Sequence, residues 1–525
     1  MYPELRRDVR MLTTLLGQVI QEQAGQHIFE IIERFRKTSK QLREDPTRKG
    51  IGLKDEIVEA LTPRDAALVA RAFTIYFQLV NLAEEKQRQR RLEAHASADV
   101  PYRGSLAFGI QQLRNREGLS DKELQDLFEE LAIEPVLTAH PTEAQRRTVS
   151  YHLQRIADLH RQWEFESNNK LRQEELKEQI LSVLEALWLT EQTRSLRPTV
   201  EEETERTLFF FRKSILPVIP LFHRKLEEVA GISFPAPPVV TFGSWVGGDR
   251  DGNPAVTPQV TVRTAEAHCQ LILQYYDEAL AQLSRELSHS EQLTEVSEHI
   301  QRELADQAMY GVFLEEAEER IEPHEIYRRY LHLLRTRLEK TRRHQRDGFR
   351  DAREFLGFLL YLYESLVDAG AHRTASGRLK DLISQVRTFG FHLATLDLRD
   401  HSRKLKAAVR QLGIVDREEG QKAIDRLKAQ MGQPPPHGTM KAEASDVLNQ
   451  FRAMRRVQEL HGEKASNRYI LSMTHQPVDL WKAICLASSA KLIIREGNRW
   501  VSRVDFVPLF ETIDDLRNCS HLLEA

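Results

Sequence analysis

His140 closes a short apolar run, Val136-Leu137-Thr138-Ala139, and is followed by Pro141 and by Thr142 and Gln145 at capping-box spacing. That order predicts a histidine at the carboxyl end of a strand, facing the amino terminus of a helix. Unpaired backbone N–H groups and the helix dipole make such a terminus receptive to anions, and Arg146 and Arg147 add charge beside it. A second set is Gly247-Gly248-Asp249-Arg250-Asp251-Gly252-Asn253-Pro254, where the glycines permit close backbone approach and Asp249 and Asp251 are expected to orient Arg250 between them. Asp249, Asp251 and Asn253 alternate as in a calcium loop. That reading fails because the glycine falls at the fourth position of the loop and Val260 stands where a bidentate glutamate is needed. Arg399 and Glu511 complete the candidates: a charge at the end of a β-prone run, and a strand-end carboxylate suited to a hard divalent cation.

Each of these residues stands at or just beyond the end of a β-prone run. The runs are Val136 to Ala139, Val239 to Val246, Phe389 to Asp400, Tyr469 to Thr474 and Asp505 to Thr512, and long stretches of helix-forming composition separate them. Short strands separated by long helical stretches describe most of a parallel β/α barrel, five strands of the eight it needs, with the chemistry at their carboxyl ends. In the third run Asp397 and Arg399 alternate onto one side.

The helices have legible faces. Leu5, Val9, Leu12, Leu16 and Val19 fall on one side of a first helix, and Ile28, Ile31, Ile32 and Phe35 on one side of a second. A third runs from Ala66 to Arg91 and ends in the basic run Lys86 to Arg91, expected to be solvated. Val149, Leu153, Ile156, Leu159 and Trp163 mark the buried face of another. Glu44 to Gly52, Ser97 to Gly104 and Pro434 to Gly438 read as loops, and the charged region from Thr261 to Val386 yields no chemistry of its own.

Composition narrows the class. Over 525 residues, 75 basic and 78 acidic side chains give a formal net charge of −3, which offers no bulk attraction to nucleic acid or an acidic membrane. Cys269, Cys485 and Cys519 form neither a disulfide framework nor a zinc motif and suit a reducing compartment. The apolar run Phe355 to Tyr363 is too short to span a bilayer and the amino terminus opens on charged residues, so a cytoplasmic protein is expected. Only 24 glycines and 20 prolines leave most of the chain free to be helical.

Thr138-Ala139-His140-Pro141-Thr142-Glu143, with Arg146-Arg147 beyond it, closely resembles the first signature of the phosphoenolpyruvate carboxylase family. Gly247 to Pro254 resembles a second block nearly letter for letter, Arg399 and Phe510-Glu511-Thr512 match further strand ends, and Thr193-Arg194 with Pro198-Thr199-Val200 is similar to a segment near the family's barrel mouth. His401 and Ser402 depart from the commoner Glu-Ser ending.

The resemblance implies a fold: a mostly α protein with a TIM-like β/α barrel, here with about five of eight strands, a helical region over 1–130 and the first part of the barrel over 131–525. It implies an activity: carboxylation of phosphoenolpyruvate by bicarbonate to oxaloacetate and phosphate. It also implies roles, with His140 catalytic, Arg399 and Arg250 binding substrate, and Glu511 a ligand of Mg²⁺ or Mn²⁺. A cytoplasmic, allosterically regulated homotetramer is expected with it.

Complete members of the family are longer. The chain therefore reads as an amino-terminal part, inactive alone, with the second catalytic histidine, the active-site lysine and the second acidic metal ligand beyond it. Two other classes compete: a non-catalytic helical or oligomerisation fragment, and a different phosphoenolpyruvate-using enzyme.

Overall fold

The computed structural model describes residues 2–44, 58–97, 101–139, 146–166, 168–192, 198–232, 238–306, 321–415, 418–434 and 442–524. His140 and the proposed cap Thr142 to Gln145 lie outside the described residues, as do Thr193, Arg194 and most of the loops read at Glu44 to Gly52 and Pro434 to Gly438. The described chain is mostly helical with a few short strands, as its composition predicts. It divides into two compact units, residues 1–108 with 140–197 and residues 109–139 with 198–525.

The first unit is a helix bundle. Pro3–Ala24 starts with proline in its first turn and stops at Gly25, whose φ of 88° favours a residue without Cβ. Its Leu12, Leu16 and Val19 are buried as expected, together with Leu15 and Ile20. Pro63–Ser97 packs against it through Val69, Ala72, Ile75, Leu79 and Ala83, and Arg147–Phe165 and Lys170–Leu189 pair beside them. Burying one such side chain contributes about 1.5–3 kcal/mol. Residues Pro63–Ala96 are long and apolar enough, by length and composition, to cross a membrane. In this fold the buried positions of that helix form part of a bundle core.

The basic run at its end is not simply solvated. Lys86 and Arg90 both reach Glu164, at 2.9 and 2.8 Å, and Arg90 also binds Asp8 at 2.6 Å. Asp8 is fully buried beside His160, whose Nε2 lies 3.6 Å away. Burial alone would raise both carboxyls. The histidine and arginine around Asp8 outweigh it and hold that group far below 3.8, while Lys86 and Arg90 bring Glu164 down to about 2. Helical periodicity exposes every third or fourth residue to one partner face, and a sequence cannot say that the partner is an acid.

The second unit carries the strands. They are β1 (Val136–Leu137), β2 (Gly243–Ser244), β3 (Thr395–Leu396), β4 (Leu398–His401), β5 (Arg468–Ser472), β6 (Ile493–Glu496), β7 (Arg499–Ser502) and β8 (Asp505–Pro508). β1, β2 and β3 pair in parallel in that order, and so do β4, β5 and β8. β3 and β4 are one passing strand interrupted at Asp397.

Main-chain bonds join the two sheets. Arg399 N–H donates to Gly248 O at 3.1 Å, and Arg250 N–H donates to Arg399 O at 2.9 Å. The five β-prone runs thus form a continuous parallel series. β6 and β7 are an antiparallel hairpin that the sequence reading passed over. Its turn is Gly497-Asn498, with Gly497 at a φ of 61°, a recognisable hairpin signal.

Helices cover the strands. Leu398, Tyr469 and Leu471 are completely buried against Ser402–Gln411, Ala442–His461 and Pro477–Ser489, where Leu405, Phe451 and Leu486 meet them. These strands are apolar because helices pack over them.

Candidate active site

β4 places Arg399 at the carboxyl end of the parallel series, and the loop after β2 wraps beside it. The loop can do so because two glycines let it press on its own fold. A Cβ on Gly247, whose φ is 84°, would overlap the side chain of Thr264, and one on Gly248 would overlap the carbonyl oxygen of Asp397. Their missing side chains serve contact within the chain, where close approach to a ligand had been anticipated. Gly252, with a φ of 76° and open space around it, makes the turn.

The loop carboxylates hold a different arginine from the one expected. Asp249 Oδ2 accepts from Arg399 Nη1 and Asp251 Oδ2 from Arg399 Nη2, both at 3.1 Å. Arg399 Nε donates to Ser472 Oγ at the end of β5, 2.8 Å away. The guanidinium carbon lies 5.0 Å from the centre of the Trp245 ring, and Glu511 Oε1 lies 3.7 Å from Nη2. One cation is thus clamped in plane by two aspartates and a serine and backed by an aromatic ring. Burial pushes the Asp249 carboxyl up, against the opposing pull of the Asp251 N–H and Arg399.

Arg250 turns inward. It is only 2% exposed, and its Nη2 donates to Thr261 Oγ1 at 3.0 Å, whose hydroxyl in turn donates to Gly247 O at 2.8 Å. Its Nε and Nη1 are buried without a hydrogen-bond partner, and burial lowers its pKa against the pull of Asp446, Tyr469 and Asp400. Lys404 Nζ donates to the Arg250 carbonyl at 3.2 Å and pairs with Asp400 at 2.8 Å.

Asp397 supports the site from beneath. It accepts from Trp245 Nε1 at 3.1 Å and faces Arg468 Nε at 3.1 Å, the latter a charge contact without hydrogen-bond geometry. Burial, only partly offset by Arg468 and Trp245, brings its carboxyl up to about 6. Arg468 also pairs with Glu134.

Of the four expected site residues, Arg399 and Glu511 come together, and Arg250 adjoins them through its main chain. His140 is outside the described residues; β1, which precedes it by three residues in sequence, pairs with β2. Trp245, Ser472 and Thr261 went unrecognised. Ser472 had a signal, since it lies near the carboxyl end of a β-prone run as Arg399 does. Thr261 had none, since its hydroxyl is one of many in a helix.

A divalent cation would find Glu511 here as the carboxylate without a hydrogen bond to Arg399. Asp249 and Asp251 are committed to Arg399, and among the described residues no three His, Cys, Asp or Glu side chains form a cluster able to hold a metal. Glu511 has the hard oxygen chemistry of a ligand but does not make a site alone.

Comparison with known proteins shows the family. A family model described as phosphoenolpyruvate carboxylase matches residues 5–525. Phosphoenolpyruvate carboxylase of Nitrosomonas europaea is 33% identical over 100% of this chain and 58% of its own length. That of Nitrosomonas eutropha is 32% identical over 99% and 58%, and that of Roseiflexus castenholzii 32% over 99% and 58%. The chain spans little more than half the length of these relatives. From the strand that leads to His140 through the Asp249 to Asp251 loop, Arg399 and Glu511, it belongs to the phosphoenolpyruvate carboxylase family.

Proposed function

We propose that these residues form part of an active site that carboxylates phosphoenolpyruvate with bicarbonate, giving oxaloacetate and phosphate. The observation that carries the reading is the Arg399 clamp: a guanidinium fixed by Asp249, Asp251 and Ser472 at the carboxyl end of parallel strands. In this reading the five strands are successive members of an eight-stranded β/α barrel, whose chemistry gathers at that end.

Two anions must meet for the reaction to proceed. A bicarbonate oxygen bonds to phosphorus as the ester P–O bond breaks, leaving carboxyphosphate and the enolate of pyruvate. Carboxyphosphate then divides into carbon dioxide and phosphate, and the enolate carbon forms the new C–C bond. Arg399 offers a fixed positive charge to the substrate's phosphate or carboxylate oxygens, and the clamp avoids reorganisation when charge shifts. Arg250 adds positive potential from beneath. His140 either orients carboxyphosphate or handles a proton during carboxylation.

Glu511 is assigned as one ligand of Mg²⁺ or Mn²⁺, and the ion when bound would act as a Lewis acid toward developing enolate charge. Phosphoenolpyruvate and bicarbonate are the small-molecule partners, and an allosteric, cytoplasmic homotetramer is the assembly we assign. The test is formation of oxaloacetate that requires bicarbonate and a divalent ion, in the protein at full family length. Loss of that activity in His140→Asn and Arg399→Gln is expected; full activity in both would overturn the reading.

A further inference from the structure

Two helices of the second unit enclose a cavity of about 60 Å³ that shares no residue with the Arg399 cluster. Leu216–Ala230 contributes His223, Arg224 and Glu227 at helical spacing, and Lys380–Phe389 contributes Lys380, Asp381, Ser384 and Arg387 on its facing side. Pro238 and Val239, leading to β2, close it.

Most of its charges are matched. Lys380 Nζ binds Glu227 Oε2 at 2.6 Å, and Arg224 binds Asp381. His223 Nδ1 is hydrogen-bonded to Ser384 Oγ. Two groups are left over. Arg387 Nε and His223 Nε2 are both buried and lack any hydrogen-bond partner, and Arg387 makes no ion pair among the described residues. With two acids against three basic side chains, the lining carries one uncompensated positive charge.

Arg387 and His223 both line this small cavity; a buried guanidinium N–H without a partner and, where Ser384 donates to Nδ1, a buried N–H on His223 Nε2 are costly unless something supplies acceptor atoms. Burial already pushes the pKa of both groups down, with Glu227 alone opposing it at Arg387 and Glu227 against Arg387 at His223. A neutral ligand would satisfy the hydrogen bonds but not the charge. A large ligand would not fit.

We propose that this cavity is a binding site for a small oxyanion, a phosphate or carboxylate group, held by Arg387 and His223 Nε2. The site stands apart from the carboxylase reading and survives its failure.

The test follows the thermal unfolding midpoint of the full chain during titration with inorganic phosphate or acetate, against potassium chloride at equal ionic strength. A saturable rise of about 1–3 °C is expected for at least one of the two. A larger rise with phosphate assigns a phosphoryl ligand and a larger one with acetate a carboxylate; either supports the site. Arg387→Gln should weaken the response at least about tenfold and Arg387→Lys should restore part of it. Should Arg387→Gln fail to fold, His223→Gln must weaken the response instead. No saturable rise beyond chloride, or a rise unchanged in these variants, overturns the proposal; so does one kept by Arg387→Gln and lost in Arg399→Gln.

Discussion

Glu511 Oε1 lies 3.7 Å from Arg399 Nη2, the same nitrogen that Asp251 holds at 3.1 Å. The carboxylate is therefore near the arginine without being committed to it. It can turn to another cation, and the guanidinium stays in place if it does.

That geometry separates two substitutions. In the protein at full family length, Arg399→Gln is expected to lower kcat/KM for phosphoenolpyruvate by about 10²–10³, the scale for losing a fixed charge beside a reacting phosphate. Glu511→Gln should instead raise the Mg²⁺ concentration needed for half-activation by at least about tenfold. Steady-state kinetics at varied metal and substrate tells them apart, and equal effects on both parameters in both variants would contradict the assignment.

The 525 residues purified by themselves should give no more than trace oxaloacetate. They span 58% of the Nitrosomonas relatives, and among the described residues no three His, Cys, Asp or Glu side chains form a cluster able to hold a metal. A coupled assay with malate dehydrogenase reads this directly, and robust turnover would refute it.

Gly248→Ala should destabilise the second unit by about 1–3 kcal/mol, because a methyl group there meets the Asp397 carbonyl. Urea unfolding measures the loss. Gly252→Ala lies in open space and suffers only the strain of its φ of 76°, so the smaller change belongs to it.

Acid should loosen the first unit. Asp8 and Glu164 are held below their ordinary 3.8 and 4.5, so their contribution is complete above about pH 5 and disappears as the pH falls through the depressed values, about 2 for Glu164. Hydrogen exchange in Pro3–Ala24 and Arg147–Phe165 should quicken over that range. In Asp8→Asn this acid dependence should be smaller, and an unchanged profile would argue against the network.

Asp397 has the opposite sign. Its carboxyl titrates near 6 when folded and 3.8 when not, so stability falls as the pH rises from about 4 to 6, by on the order of 2 kcal/mol. Asp397→Asn keeps an acceptor for Trp245 and should flatten that slope, as read by denaturant midpoints at pH 4, 5, 6 and 7.

Period and punctuation made the strands legible: all five β-prone runs lie in the parallel series, and their order in sequence is their order in space. The helix faces were legible for the same reason. What escaped is pairing at a distance. Asp249 and Asp251 flank Arg250 in the chain, so adjacency suggested the wrong partner, and a neighbouring strand puts Arg399 between them instead. Lys86 and Arg90 looked solvated because their acids lie on other helices. Arg387 and His223 were not noticed, since nothing local marks a cavity between two helices.

The loop that carries Asp249 and Asp251 hangs from the peptide groups of Arg399, through Gly248 O and Arg250 N–H. The socket is therefore suspended by main chain and outlasts the side chain it grips. Trimming Arg399 to alanine empties it without letting it fall shut, and free guanidinium ion added from solution would find two carboxylates and a hydroxyl still waiting at the rim.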